Sequence, residues 1–72
     1  MNNLNVAKIQ LNGSSYDVSI KTNLYDLLNN LSIPDDKVAI ELNGTIIEKS
    51  KYIKVYLKKG DKVEIVHFIG GG

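Results

Sequence analysis

The fold is decided by one pattern that occurs twice in the sequence, as Ile9-Gln10-Leu11-Asn12-Gly13 and as Ile40-Glu41-Leu42-Asn43-Gly44. In both copies an alternating apolar run leads into Asn-Gly. This dipeptide is typical of two-residue type I′ turns, because both turn positions need a positive φ. Each copy therefore predicts a β-hairpin. Two copies are too few for a repeat array, which needs about three units to bury a continuous core.

The first hairpin can be checked by its register. With Asn12-Gly13 as the loop, the residues that face each other are Leu11 with Ser14, Ile9 with Tyr16 and Ala7 with Val18. Because side chains alternate between the two faces of a strand, this register gathers the apolar residues on one face. That predicted face consists of Ala7, Ile9, Leu11, Tyr16, Val18 and Ile20.

The second hairpin is built in the same way around Asn43-Gly44. It pairs Leu42 with Thr45 and Ile40 with Ile47, and its second strand is expected to end near Glu48. The same alternation places Val38, Ile40 and Leu42 on the buried side and turns Glu41 outward.

The segment between the hairpins has the apolar spacing of an amphipathic helix. Its four leucines, at positions 24, 27, 28 and 31, fall at i, i+3, i+4 and i+7. Thr22 is the predicted N-cap, and Asp26 favours the positive end of the helix dipole. Asn29 and Asn30 weaken the last turn, and Pro34 prevents continuation. We expect a helix of about three turns.

The remaining sequence leads to a final strand. Residues 49–59 mix apolar periods and predict irregular chain or a short helical turn that brings Leu57 to the core. Gly60-Asp61 then turns the chain. In the final strand Val63 and Ile65 share one face, which His67 and Ile69 continue, and the other face carries Glu64, Val66 and Phe68.

This order of elements predicts one α+β domain over residues 1–72. A single helix can cover the apolar face of one sheet, and the crossover after the first hairpin can bring later strands beside the first. The final strand, with few polar positions, is expected at the centre. The predicted architecture is a β-grasp, a mixed sheet of about four to five strands with one main helix packed on one face, followed by a flexible C-terminal tail at 69–72.

Composition excludes several classes of function. The chain has 72 residues, is 43% hydrophobic and has no apolar run of about 20 residues that would span a membrane. Its N-terminus lacks the features of a signal peptide, so we expect a cytoplasmic protein. Nine lysines against eight acids give a net charge of +1, which argues against nucleic acid as a partner. The six lysines between Lys49 and Lys62 have Glu48, Asp61 and Glu64 interleaved, and they favour a solvated face over a docking patch for an acidic partner.

The side chains offer little chemistry of their own. The chain has no cysteine and one histidine, His67, to which no role is assigned. It also lacks the glycine-rich motifs that hold nucleotide phosphates. Asp35-Asp36 follow Pro34 and are interpreted as solvated turn residues rather than a metal or acid–base pair. We therefore expect no bound cofactor, no metal site and no enzyme acting alone.

The sequence ends in Gly70-Gly71-Gly72, which cannot pack and is costly to order. A C-terminal carboxylate is ionised at neutral pH, and on glycine no Cβ shields it. It can attack the α-phosphate of ATP, and the resulting acyl-adenylate is open to sulfur or amine nucleophiles. Gly72 is thus the predicted reactive residue, and Gly70 and Gly71 would thread into a partner enzyme. The predicted docking patch beside them consists of Val66, Phe68 and Ile69.

The ending over residues 60–72, together with Leu42-Asn43-Gly44 and the leucine-rich helix, resembles the ThiS family of sulfur carrier proteins of thiamine biosynthesis. The resemblance implies a ubiquitin-like β-grasp fold. It also implies that a ubiquitin-activating-like adenylyltransferase adenylates Gly72 with ATP, with Gly71 as the required neighbour. The adenylate becomes a thiocarboxylate that donates sulfur to thiazole synthase. A cysteine desulfurase system is one sulfur donor that would fit. Residues 1–5 and 49–57 match the family pattern least well.

Three alternatives remain open from the sequence. The small subunit of molybdopterin synthase is a related carrier with the same terminal chemistry, but those chains tend to be longer and to carry a proline before the Gly-Gly. A ubiquitin-like modifier, which would end in an isopeptide bond to a lysine, begins with the same adenylation. A plain β-grasp interaction module with an incidental glycine tail is the third.

Overall fold

Both Asn-Gly turns form β-hairpins in the computed structural model, which describes residues 5–68. The asparagines at the two turns have positive φ, 49° at Asn12 and 51° at Asn43, and the glycines that follow have φ of 84° and 87°. These are the values that a type I′ turn requires. Both predicted registers are confirmed, from Leu11 opposite Ser14 and from Leu42 opposite Thr45.

The described chain contains five strands and one α-helix. The elements in order are β1 (Val6–Leu11), β2 (Ser14–Ser19), α1 (Leu24–Asn30), β3 (Val38–Leu42), β4 (Thr45–Ile47) and β5 (Lys62–His67). Short 3₁₀ helices cover Asp35–Lys37 and Lys49–Lys54. The strands form one sheet in the order β2-β1-β5-β3-β4. β5 is central as predicted, parallel to β1 and antiparallel to β3. This is the mixed sheet with one main helix that the sequence predicts.

Helix α1 differs from the prediction at both ends. Its N-cap is Asn23 rather than Thr22: the Asn23 Oδ1 accepts the Asp26 N–H at 2.7 Å, and its Nδ2 donates to the Ile53 carbonyl at 3.0 Å. The helix has seven residues, about two turns rather than three. It stops because the chain enters a left-handed conformation at Ser32, where φ is 58°.

The segment before β5 carries more of the core than the sequence indicated. Lys49–Lys54 forms a 3₁₀ helix that buries Tyr52, and Leu57 is buried as expected. The segment is attached to the start of α1, where the Leu24 N–H donates to the Val55 carbonyl at 3.0 Å. It is also attached to the chain just before α1, because the Leu57 N–H donates to the Thr22 carbonyl at 2.8 Å.

The core lies between the sheet and this helical layer. It consists of Ala7, Ile9, Val18, Leu24, Leu27, Leu28, Val38, Ile40, Tyr52, Leu57, Val63 and Ile65. Ile20 was predicted on this face, but it follows the last residue of β2 and is 41% exposed. The sheet face opposite α1 is here called the outer face.

Candidate functional site

The described members of the docking patch lie at the end of the central strand. The side chains of Val66 and Phe68 are 58% and 59% exposed, as strand alternation predicts. Val66 lies directly opposite Ala39 of β3, and the Phe68 N–H donates to the Lys37 carbonyl at 2.9 Å. Ile69 and the predicted reactive segment 70–72 lie outside the described residues.

The outer face also carries Ile46 and two glutamates on the neighbouring strands. Ile46 of β4 is 64% exposed and faces Glu41 of β3, which in turn faces Glu64 of β5. Two carboxylates that face each other on adjacent strands repel, so this pair does not favour the fold.

A cleft of about 230 Å³ lies beside Phe68. Its walls come from β3, β4 and both 3₁₀ helices, and it is lined by Asp35, Asp36, Val38, Ala39, Ile47, Lys49, Tyr52 and Phe68. Asp35 is half-buried and Asp36 is exposed, and both lie in the 3₁₀ helix Asp35–Lys37. The cleft is small and open, which suits a single partner side chain better than a cofactor.

Tyr52 is a buried residue that lines this cleft. Burial raises the pKa of its phenol above the ordinary 10.0, a hydrogen bond with the Ile40 backbone lowers it, and the nearby Asp35 carboxylate raises it further. The phenol is therefore neutral at physiological pH. Tyr52 belongs to the hydrophobic core and lines the same cleft as Phe68.

Asn12 supports the central strand at the point where β1 ends. The Ile65 N–H donates to Asn12 Oδ1 at 2.7 Å, and Asn12 Nδ2 donates to the Ile65 carbonyl at 3.3 Å. The carboxamide thus occupies the place of the next β1 residue in the ladder. β5 is held on its β1 side as far as Ile65, three residues before Phe68.

Asn43, at the other turn, holds the opposite end of β5. Its Oδ1 accepts the Lys62 N–H at 2.8 Å, and its Nδ2 donates to Asp61 Oδ1 at 3.0 Å. Asp61 is 4% exposed and its Oδ2 also accepts the Lys58 N–H at 2.9 Å. Asp61 was predicted only as a turn residue, but it organises the entry into β5.

The roles of the two asparagine side chains were not predicted from the sequence. The signal that could have revealed them is that both turns carry Asn rather than Asp or Gly at their first position. Of these three residues, only Asn has a side chain that offers both an amide donor and a carbonyl acceptor to a neighbouring strand.

Among residues 5–68, no three His, Cys, Asp or Glu side chains are grouped to hold a metal ion. His67 is exposed on β5, and nothing in the described contacts gives it a role. No helix of the described chain is long and apolar enough to cross a membrane. The feature that remains is a strand that carries an exposed apolar patch toward the C-terminal glycines.

Comparisons with known proteins agree with this geometry. A solved thiamine biosynthesis protein (ThiS) from Geobacter metallireducens superposes with a TM-score of 0.78 at 32% identity, and the match covers 90% of this chain and 99% of that one. A thiazole synthase from Magnetococcus marinus is 42% identical over 65 residues. That match covers 90% of this chain and only 20% of the thiazole synthase, so the chain spans about a fifth of that relative's length.

Two further matches cover nearly the whole of the sequence. The sulfur carrier protein ThiS of Bacillus subtilis is 42% identical over 67 residues, which cover 89% of this chain and 98% of that protein. The model of the ThiS family matches residues 9–72, from the first strand to the last glycine. Together with the mixed five-stranded sheet and its single main helix, these matches place the chain in the ThiS family.

Proposed function

We propose that this protein is a sulfur carrier for thiazole formation in thiamine biosynthesis, and that it serves partner enzymes as a co-substrate rather than acting as an enzyme. The observation that carries the proposal is the family match over residues 9–72 in a sequence that ends in three glycines. The fold supports it, because the central strand leads directly into that ending.

The proposed chemistry takes place at Gly72. One oxygen of its carboxylate attacks the α-phosphorus of ATP, an O–P bond forms, and pyrophosphate leaves. Hydrosulfide then attacks the carbonyl carbon of the acyl-adenylate, a C–S bond forms, and AMP leaves with the bridging oxygen. Sulfur that arrives as a persulfide gives an acyl disulfide instead, and a thiol must reduce it to the thiocarboxylate. ATP is bound by the activating enzyme, so the carrier itself needs no cofactor.

The docking patch supplies the binding energy that the tail lacks. Ordering each residue costs about 1 to 2 kcal/mol, so threading residues 69–72 costs several kcal/mol. Val66 and Phe68 present exposed apolar surface that an adenylyltransferase can bury at the same time. Gly70 and Gly71 then pass through a narrow channel, because they carry no side chain.

Thiazole synthase is the proposed sulfur acceptor. A segment similar to this chain forms part of the Magnetococcus marinus thiazole synthase, so carrier-like and synthase sequences occur there in one protein. That arrangement supports a partnership between this chain and a thiazole synthase. A cysteine desulfurase system is the proposed source of sulfur.

The test is intact mass spectrometry after incubation with ATP, sulfide and an adenylyltransferase that acts on ThiS-family carriers. We expect a mass gain that corresponds to the exchange of one oxygen for sulfur, located by fragmentation at Gly72. A variant with one alanine added after Gly72 is the matched control, since it keeps the fold and removes the terminal glycine carboxylate. An unchanged mass with an active enzyme would refute the carrier function, and a shift found on lysines of other proteins would instead indicate a modifier.

The acceptor is tested separately. The thiocarboxylate form is offered to thiazole synthase and to the large subunit of molybdopterin synthase, and the loss of sulfur from the carrier is followed by mass. We expect loss with thiazole synthase. Loss of sulfur only to the molybdopterin synthase subunit would assign the protein to molybdopterin synthesis, and the proposed carrier chemistry would still hold.

A further inference from the structure

The central strand is supported unequally on its two sides near the tail. On the β3 side its pairing continues to His67, which lies opposite Val38, and the Phe68 N–H still donates to the Lys37 carbonyl. On the β1 side the last backbone hydrogen bond described is the one that the Asn12 N–H donates to the Val63 carbonyl, at 2.8 Å. Beyond Val63, the support described on that side is the carboxamide of Asn12.

We propose that Asn12 is a positioning residue that fixes the direction in which β5 delivers the docking patch and the glycine tail to the activating enzyme. This inference rests on the proposed function. Oδ1 and Nδ2 of Asn12 engage both main-chain groups of Ile65, the residue immediately before Val66. A strand held by Asn12 on its β1 side and paired with β3 on the other side cannot pivot about its β3 edge, so the directions of Val66 and Phe68 are fixed.

The length of the tail makes this direction important. Four residues from Phe68 to Gly72 reach at most about 13 to 14 Å when extended, so the tail cannot search a large volume for its active site. A change in the angle at Ile65 moves the docking patch and the start of the tail together. Without the carboxamide, residues 66–68 must be ordered at the moment of binding, which weakens the encounter with the enzyme and leaves the reaction at Gly72 unchanged.

Asn43 provides a matched control within the same molecule. It occupies the same turn position with nearly the same φ, 51° against 49°, and it also makes two side-chain hydrogen bonds to the region of β5. Its contacts, however, lie at Asp61 and Lys62, at the entry of the strand. Glycine accepts positive φ, so Asn12→Gly and Asn43→Gly each remove a carboxamide and keep the turn.

The experiment measures activation of the parent and of each variant by an adenylyltransferase that acts on ThiS-family carriers, at a temperature where all the proteins are folded. We expect Asn12→Gly to raise the KM for the carrier about tenfold with kcat within about twofold, since an interaction lost equally from ground and transition states appears in KM. Asn43→Gly is expected to change neither by more than about twofold, although both variants unfold at lower urea concentration. Asn12→Asp keeps the acceptor for the Ile65 N–H and is expected to recover part of the loss.

Amide hydrogen exchange supplies a readout that does not depend on the enzyme. In Asn12→Gly the amide of Phe68, which donates to the Lys37 carbonyl just before β3, should exchange faster than in the parent, whereas in Asn43→Gly it should not. Equal KM effects in the two glycine variants, or an unchanged Phe68 amide in Asn12→Gly, would overturn the positioning role. Failure of the parent protein to be adenylated would refute the proposed function, and the exchange result would still decide whether Asn12 holds the end of β5.

Discussion

The buried carboxylate of Asp61 accepts a hydrogen bond from Asn43 Nδ2 at 3.0 Å, and this contact joins the second hairpin to the entry of the central strand. The other oxygen of Asp61 accepts the Lys58 N–H at 2.9 Å, so the carboxylate closes the turn that precedes β5 as well. A carboxylate that is 4% exposed and bonded through both oxygens is a strong candidate for a stability determinant.

We predict that Asp61→Ala lowers the free energy of unfolding by about 1 to 3 kcal/mol, because two donors lose their buried acceptor. Urea unfolding at neutral pH measures the change. Asp17→Asn is the control, since Asp17 is exposed and its contact with Lys8 Nζ is 3.9 Å long. Such a surface pair is worth about 0 to 1 kcal/mol. Equal midpoints for the two variants would contradict the structural role of Asp61.

A second prediction concerns the start of α1. Asn23→Ala is expected to destabilise the protein by about 1 to 2 kcal/mol, because the Asp26 N–H loses its cap and the Ile53 carbonyl loses a donor. Asn30→Ala, at the exposed last position of the same helix, should be neutral or slightly stabilising because alanine has the higher helix propensity. Thermal unfolding of both variants tests this prediction. A midpoint temperature of Asn23→Ala equal to that of the parent would show that Asn23 does not stabilise the helix as its N-cap.

The hairpins could be predicted from the sequence because a two-residue Asn-Gly turn fixes the register of the strands that flank it. The helix could be predicted from its leucine spacing, but not its cap. Thr22 and Asn23 are both good capping residues, and the choice depends on the Ile53 carbonyl, which lies 30 residues away in sequence. Local pattern carries no information about a partner at that separation.

The same limit explains what was missed near the candidate site. Asn12 and Ile65 are 53 residues apart in sequence, so their contact exists only once β1 and β5 are adjacent. Tyr52 lies in a stretch without a clear apolar period, and its burial follows from the 3₁₀ turn that the segment adopts. The glycine ending was the clearest functional signal in the sequence because it has no use in packing.

Tyr52 gives a prediction about pH. Its pKa is raised by burial, so the folded protein holds a proton that the unfolded chain loses above about pH 10. This contribution to stability is complete below pH 10 and is lost as the pH rises through the pKa of the folded state. Tyr52→Phe lacks it. We therefore expect the free energy of unfolding of the parent to fall relative to that of Tyr52→Phe above about pH 10.

The measurement is urea unfolding of parent and Tyr52→Phe at neutral pH and at several values above pH 10. The lysines titrate in the same range, but their contribution is the same in both proteins and cancels when the two free energies of unfolding are subtracted. Tyr56→Phe is the control, because Tyr56 is 56% exposed. A difference between parent and Tyr52→Phe that stays constant across this range would show that the phenol is not held neutral by the fold.

The docking patch is tested by Val66→Ala. Val66 is 58% exposed, so its truncation should leave the stability of the fold nearly unchanged. Truncation of an anchor residue that a partner buries weakens binding by about 1 kcal/mol or more. We expect the KM for the carrier in adenylation to rise about fivefold or more. Ile53→Ala removes a similarly exposed apolar side chain from the 3₁₀ helix and should have no effect on KM. Equal KM values for the two variants would place the partner elsewhere.

The facing carboxylates of Glu41 and Glu64 lead to a prediction in which stability and binding change in opposite directions. Glu64→Gln removes the repulsion and keeps the side-chain length, so the free energy of unfolding should rise by about 0.2 to 1 kcal/mol. If the acid pair attracts a basic group of the adenylyltransferase, the same variant raises the KM for the carrier. The increase in KM should be larger at low ionic strength, because fewer salt ions screen the charges. Asp17→Asn makes the same charge change two strands away and should leave KM unaltered. A more stable Glu64→Gln protein with a parent-like KM would show that the partner does not use this charge pair.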